Sequence, residues 1–179
     1  MLRPYDDGTR RRGEEVDTMA TRSLAHALRQ HHAIEHATVT LLSRRLPGVR
    51  MLARSDLQGF TLFGEADTDA VEAAAEEAVK RLQAGEAGLA VHPNCGTNLV
   101  TAGMLSGLAA VVATSGRGRS WADRVPSSLL AATLALILAV PAGRWMQENV
   151  TTSPHVEGLR IASVTRLGGP MTAHRVIIG

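Results

Sequence analysis

Two short stretches of the 179-residue chain carry the side chains best suited to chemistry. The first, His31-His32-Ala33-Ile34-Glu35-His36, contains the pattern H-x-x-E-H. On a helix His32 and His36 stand one turn apart on the same side, so both imidazoles can reach one ion at the usual Zn–N distance of about 2.0–2.1 Å. Glu35 lies next to that pair. It fits the role of a general base acting on water activated by the ion, as glutamate does in the inverted metalloprotease motif. The same pattern also arises by chance, because His and Glu at i, i+4 are common on helices.

The second stretch, His92-Pro93-Asn94-Cys95-Gly96-Thr97-Asn98, holds the only cysteine. Its Pro/Gly turn would aim His92 and Cys95 inward. Three protein ligands and an open position make a catalytic zinc site, so His32, His36 and either His92 or Cys95 would complete one. Asn94 and Asn98 are candidate donors to an oxyanion. Cys95 has two other readings: a small buried side chain at a helix start, or a nucleophile paired with His92 or His36. Glu72, Glu76 and Glu77 could supply a carboxylate ligand, although such residues more often form a solvated helix face. His26, His155 and His174 have no ligand-spaced partner.

The elements that must position these groups follow from periodicity and breakers. Ser23 to Arg45 is predicted as a helix stopped by Pro47-Gly48, with Leu24, Leu28, His31, Glu35, Val39, Leu42 and Leu46 on one face and His32 and His36 at its edge. Val49 to Arg54 and Gln58 to Phe63 read as strands around a Ser55-Asp56 turn. Thr68 to Ala84 is a second helix, with acids early and Lys80 and Arg81 late as the macrodipole favours. Leu89 to His92 reads as a short strand. Leu159 to Arg166 and Thr172 to Ile178 read as a hairpin around Gly168-Gly169-Pro170.

Charge is distributed unevenly. No Asp, Glu, Lys or Arg occurs from Ala87 to Gly116 or from Val125 to Gly143. Leu99 to Thr114 and Leu129 to Val140 lie in those windows, which sit at the short end of what crosses a hydrocarbon core about 30 Å thick. Pro126 and Pro141 are expected to trim the second. Gly103/Gly107 and the stripe Ala131, Ala135, Ala139 are small residues of the kind that let two helices approach closely in lipid. The expectation is a transmembrane hairpin, the alternative being a buried hairpin at the centre of a soluble oligomer. Arg117, Arg119 and Arg124 between the windows favour a cytoplasmic linker. The polar start, with no apolar stretch to engage a translocon, favours instead a cytoplasmic globular part, which is the orientation adopted.

The net charge is +2, Lys80 is the only lysine, and the basic residues are neither gathered on one face nor interleaved with aromatics. These features argue against nucleic-acid binding. One cysteine excludes a disulfide scaffold, and 45% hydrophobic side chains exclude a disordered chain. The expected fold class is α+β, a small globular domain of two helices and short strands continuous with the hairpin. Its expected divisions are a disordered leader over 1–18, with Met19 as an alternative start, an α+β domain over 19–98, a helical membrane hairpin over 99–145, and a C-terminal tail with a β-hairpin over 146–179.

The two motifs together, H-A-I-E-H-A-T at 32–38 and H-P-N-C-G-T-N at 92–98, resemble over His32 to Thr38 and His92 to Thr97 the H-G-A-E-H-K-T and H-x-R-C-G-T motifs of the YqhQ-like family. Those are bacterial multi-span membrane proteins assigned as metal-dependent enzymes of unknown substrate. Ala37 stands where that family has lysine and Asn94 where it has arginine. The resemblance implies that both motifs belong to one metal site. It brings no reaction; the chemistry of H-x-x-E-H supplies one by analogy, and the expectation is a membrane-anchored hydrolase, peptidase-like, using zinc or another divalent transition metal at His32, His36 and His92 or Cys95, with Glu35 activating water. Its partners would be the lipid bilayer and either further copies of the chain or a membrane protein. The alternative is a non-catalytic integral membrane protein with a closed structural His/Cys metal site, acting in assembly with a partner.

Overall fold

The computed structural model describes the backbone of residues 8–115 and 120–179, and side chains within these from residue 23 onward. The elements in order are α1 (Gly8–Arg45), β1 (Leu52–Asp56), β2 (Gly59–Phe63), α2 (Thr68–Gln83), a 3-10 turn (Ala87–Ala90), α3 (Gly96–Thr114), α4 (Trp121–Met146), a π turn (Gln147–Thr151), β3 (Ile161–Leu167) and β4 (Ala173–Ile178). The fold is α+β, as the sequence predicts. Helical backbone begins at Gly8 rather than at Ser23. The rest of the expected leader, residues 1–7, lies outside the described residues, as do Arg117 and Arg119.

The sheet joins what the sequence separates. Its order is β1-β2-β4-β3 with every pair antiparallel, so the C-terminal hairpin expected in a separate tail inserts β4 beside β2. The first turn falls at Leu57-Gln58 rather than at Ser55-Asp56, two residues later than expected, where the Asp56 carboxylate accepts the Gln58 N–H at 2.8 Å. The close approach of β4 requires Gly59: a Cβ there would lie 2.1 Å from the Val176 carbonyl oxygen. Of the residues predicted as a strand before Pro93, Leu89 and Ala90 instead end the 3-10 turn, and Val91 and His92 lie outside any regular element.

α1 and α2 cover one face of this sheet. Ile34 and Leu42 of α1, Val71 and Leu82 of α2, and Phe60, Leu62 and Val176 of the sheet form the core. Alanines at 33, 37, 74 and 78 are fully buried where the two helices meet, and their small side chains allow close packing. The predicted apolar face of α1 is buried only in part. His31, Glu35, Val39 and Leu42 are covered, but Leu24 and Leu28 are exposed on the turns that precede His31.

α3 (19 residues) and α4 (26 residues) pack along one another as a hairpin. At about 1.5 Å per residue both are long and apolar enough to cross a bilayer. α4 runs through Pro126 and Pro141 instead of being trimmed by them. Ala139, the last of the alanine stripe, is buried, whereas a Cβ at Gly103 or Gly107 would meet nothing, so the small pair predicted to face the neighbouring helix points away from it. The tight crossing is elsewhere: a Cβ at Gly143 would lie 2.5 Å from Asn98 Oδ1 and 3.2 Å from its Cα.

Candidate metal centre

The mid-section of α1 and the turn before α3 meet at one point. One ligand atom each from His32, His36 and Cys95 lie within 4.8 Å of one another. Cys95 Sγ is 3.4 Å from His32 Nε2, and the His32 and His36 rings meet edge to face at 4.2 Å between centroids. The i, i+4 spacing supplies the two imidazoles on one side of α1. Cys95 is delivered as the N-cap of α3, where its sulfur accepts the Thr97 N–H at 3.4 Å.

Backbone carbonyls fix both imidazoles. His36 Nδ1 donates to the Ala90 carbonyl at 2.7 Å, and His32 Nδ1 donates to the Thr151 carbonyl at 2.9 Å. A carbonyl only accepts, so each ring carries a proton on Nδ1 and turns Nε2 toward the sulfur; in the neutral ring that Nε2 is a free lone pair. That is the outer arrangement found around metal-bound histidines. His36 Nε2 is buried and has no hydrogen-bond partner. Leaving a buried polar atom unpaired costs about 1–3 kcal/mol, which a ligand at this point would offset. The donor set, two imidazole nitrogens and a thiolate, suits zinc and leaves a fourth position open.

The electrostatics favour the ligating form of the sulfur. Burial pushes the Cys95 thiol up, but the His32 and His36 rings and the Thr97 N–H outweigh it and hold the thiol at about 5. Burial pushes His32 down, and the contacts with Cys95, the Thr151 carbonyl and Glu35 reverse this to a net rise. Glu35 is buried beside the cluster, and burial raises its carboxyl above the ordinary range even though Ser55 Oγ donates to it and the histidines oppose the rise.

The sequence left the third ligand open between His92 and Cys95; the converging set contains Cys95. The His92 ring is 5.9 Å from that of His36, and its Nδ1 accepts the Asn94 N–H at 3.3 Å, which places the proton of the neutral ring on Nε2. Burial, followed by the neighbouring His36, lowers the His92 pKa and favours that neutral form. All five groups, with Asn94, line a cleft of about 550 Å³ bounded by α1, β1 and the start of α3. Asn98 is elsewhere. Its amide donates to the Pro93 carbonyl at 2.8 Å and accepts from Gln147 Nε2 at 2.7 Å, so it braces the turn and is not available to an oxyanion.

Glu72, Glu76 and Glu77 are on α2 away from the cleft, where Glu76 and Glu77 pair with Lys80, Arg45 and Arg81. His31 Nδ1 donates to the Asp56 carbonyl at 2.8 Å, a satisfied core contact. Sequence reasoning missed Ser55, read as a turn residue, and Gln147. Gln147 is fully buried, accepts the His92 N–H at 2.9 Å and donates to Asn98, tying the α4 end to the α3 start. A glutamine at the end of α4, a few residues past the charge-free window, was the available signal. Ala90 and Thr151 act through carbonyls, which no residue type advertises.

No solved structure matches the chain. An uncharacterized protein of Picosynechococcus sp. is 36% identical over 142 residues, covering 70% of this chain and 66% of that protein, so the match spans just under two thirds of the relative's length. The model of a domain of unknown function, DUF6391, matches residues 27–164, a stretch that holds both chemical motifs, the apolar hairpin and all of the cleft lining but Ala25, and the chain belongs to that family.

Proposed function

We propose that the protein is a membrane-anchored, zinc-dependent hydrolase of peptidase type, its ion held by His32, His36 and Cys95. The observation that carries the reading is the pair of Nδ1–carbonyl bonds. They leave the two Nε2 atoms, one of them buried without a partner, converging with the Cys95 sulfur. The resemblance of both motifs to those of the YqhQ-like family supports a single metal site, and the hydrolytic reaction is taken by analogy with H-x-x-E-H chemistry. The absence of His92 from the converging atoms favours an open site over a closed four-ligand structural one.

When bound, such an ion supplies a Lewis acid that polarises a carbonyl and makes water a nucleophile near neutral pH. Glu35 takes a proton from the attacking water as its oxygen bonds to the amide carbon. The carboxyl pKa raised by burial suits it to hand that proton to the departing nitrogen as the C–N bond breaks. His92, neutral with its proton on Nε2, serves as the donor to the developing oxyanion. Ser55 orients Glu35. The exposed apolar surface of α3 and α4 supports anchorage in a bilayer. The cytoplasmic side is proposed for the α+β part from the polar sequence before the hairpin alone.

The test is full-length protein purified in detergent without chelators. Wild type is expected to carry about one zinc per chain and His36→Ala and Cys95→Ser almost none. Glu35→Gln should keep the ion and lose roughly 10²–10⁴-fold in hydrolysis of a fluorogenic peptide pool. Metal-free wild type, or a fully active Glu35→Gln, overturns the proposal.

A further inference from the structure

The cleft touches Leu52, Ala53, Arg54 and Ser55, four consecutive residues of β1. Side chains alternate between the two faces of a strand, so a cleft that meets four in a row runs along the strand's backbone edge. β1 is an edge of the sheet. Its neighbour β2 uses one side of its peptide groups, and among the described residues no backbone hydrogen bond outside the sheet engages residues 52–55. Such an edge is a template for another strand. The opposite edge, β3, differs: its register is broken by a bulge between Ile161 and Ser163, and reciprocal bonds between Arg160 and Gly179 secure its beginning.

We infer that the cleft binds an extended peptide segment that adds to the free edge of β1 as a fifth strand, with apolar side chains seated on Leu28, Leu52 and Val150. These three residues are exposed and line the same cleft. The Ser55–Glu35 hydrogen bond fixes the register of chemistry to strand: the carboxylate hangs from the edge on which the peptide lies, and His32, His36 and Cys95 share the cleft. An acyl chain would fill the apolar part of this cleft but would leave the edge peptide groups unpaired, whereas a strand satisfies both. The inference names the substrate class of the hydrolase reading, on which it rests for chemistry but not for geometry.

The experiment uses full-length Glu35→Gln protein in detergent and a fluorescein-labelled decapeptide pool with Val or Leu at odd positions and Thr or Ser at even ones, read by anisotropy. Two further pools carry N-methyl groups on alternate residues, in opposite phases. The alternation fixes which side chains face the apolar patch, so the strand cannot slip by one residue, and pairing along one edge loses its hydrogen bonds in one phase only. The expected result is at least about tenfold weaker binding in one phase, equivalent to ~1.4 kcal/mol, and less than about twofold change in the other. Equal binding of all pools, equal loss in both phases, or no peptide binding beside tight binding of a fluorescent palmitoyl chain overturns the inference. Zinc stoichiometry on the same samples separates the two readings. A loaded site without phase dependence sinks the edge-strand inference alone, and phase dependence without zinc sinks only the hydrolase.

Discussion

The middle of α1 and the hairpin α3–α4 break the usual rule of burial in opposite directions. Within one short run of α1 the polar residues His31, Glu35, His36 and Thr38 are all buried. Along the hairpin Leu99 is 77% exposed, Val112 64% and Ile137 64%, and no residue of α3 is buried. Ionisable side chains are rarely buried unless paired, and large contiguous apolar surfaces rarely face water. Each inversion points to a missing solvent or ligand. On α1, two carbonyls satisfy one nitrogen of each imidazole and leave the other facing a thiol. On the hairpin, the surface matches a hydrocarbon environment. The lesson is that polarity alone identified neither region; where the polarity is placed did.

The comparison breaks most readily at the hairpin. Membrane-bound wild type is expected to resist carbonate and yield only to detergent. Leu134→Arg, on an exposed face near the middle of α4, should cost about 2.5–3.5 kcal/mol of insertion and shift much of the protein to the carbonate-soluble fraction. Release of wild type by carbonate would remove the lipid half of the comparison.

The polar half responds to the ion. Zinc at about a hundredfold its Kd should add ~2.7 kcal/mol, roughly 5–10 °C in Tm, to a chelator-treated sample. Cys95→Ser should show no such rise. A rise of the same size in that variant would show that zinc binds elsewhere.

Gln147 joins the two regions. Gln147→Leu leaves the part-buried His92 N–H and Asn98 Oδ1 without their partners, at no more than about 1 kcal/mol each. Thermal unfolding should register that loss, and zinc affinity should fall with it, because Cys95 sits between the two released groups. Unchanged affinity would show that the turn holds its shape without the brace.

The smallest effect is a control outside both regions. Arg175 holds the Asp56 carboxyl below its ordinary range through a two-pronged hydrogen bond at 2.6 and 2.7 Å. A folded-state pKa that is depressed contributes stability above the unfolded value and loses it as pH falls through the folded one. This exposed pair should contribute no more than about 1 kcal/mol, vanishing at acidic pH, and Asp56→Asn should flatten that part of the stability curve while leaving zinc binding unchanged.

Several features of the site were legible from residue type and spacing. His32 and His36 needed only the helical repeat, and the two apolar helices needed only the gaps in charge. The choice between His92 and Cys95 was not legible, because it turns on which of two neighbouring side chains a tight turn aims inward and on the Asn94 N–H that occupies His92 Nδ1. The sheet was half legible. Both hairpins showed their alternation, but the pairing of β2 with β4 joins residues more than a hundred positions apart, and nothing local encodes it. Pro141 misled for a related reason: a helix whose side chains pack or partition well survives one missing hydrogen bond.

The strand order carries a consequence for biosynthesis. β1 and β2 are made before the hairpin, β4 and β3 after it, and His32 obtains its Thr151 carbonyl only from residues beyond α4. The growing chain must therefore hold an unfinished sheet while α3 and α4 emerge. A hairpin that enters a bilayer must also return its second end to the side it left, because Cys95 and Thr151 flank the same imidazole. Assembly of the cleft thus reports that both helices have been placed and the chain has come back, so a ribosome product stalled inside the hairpin has the histidines but no finished site.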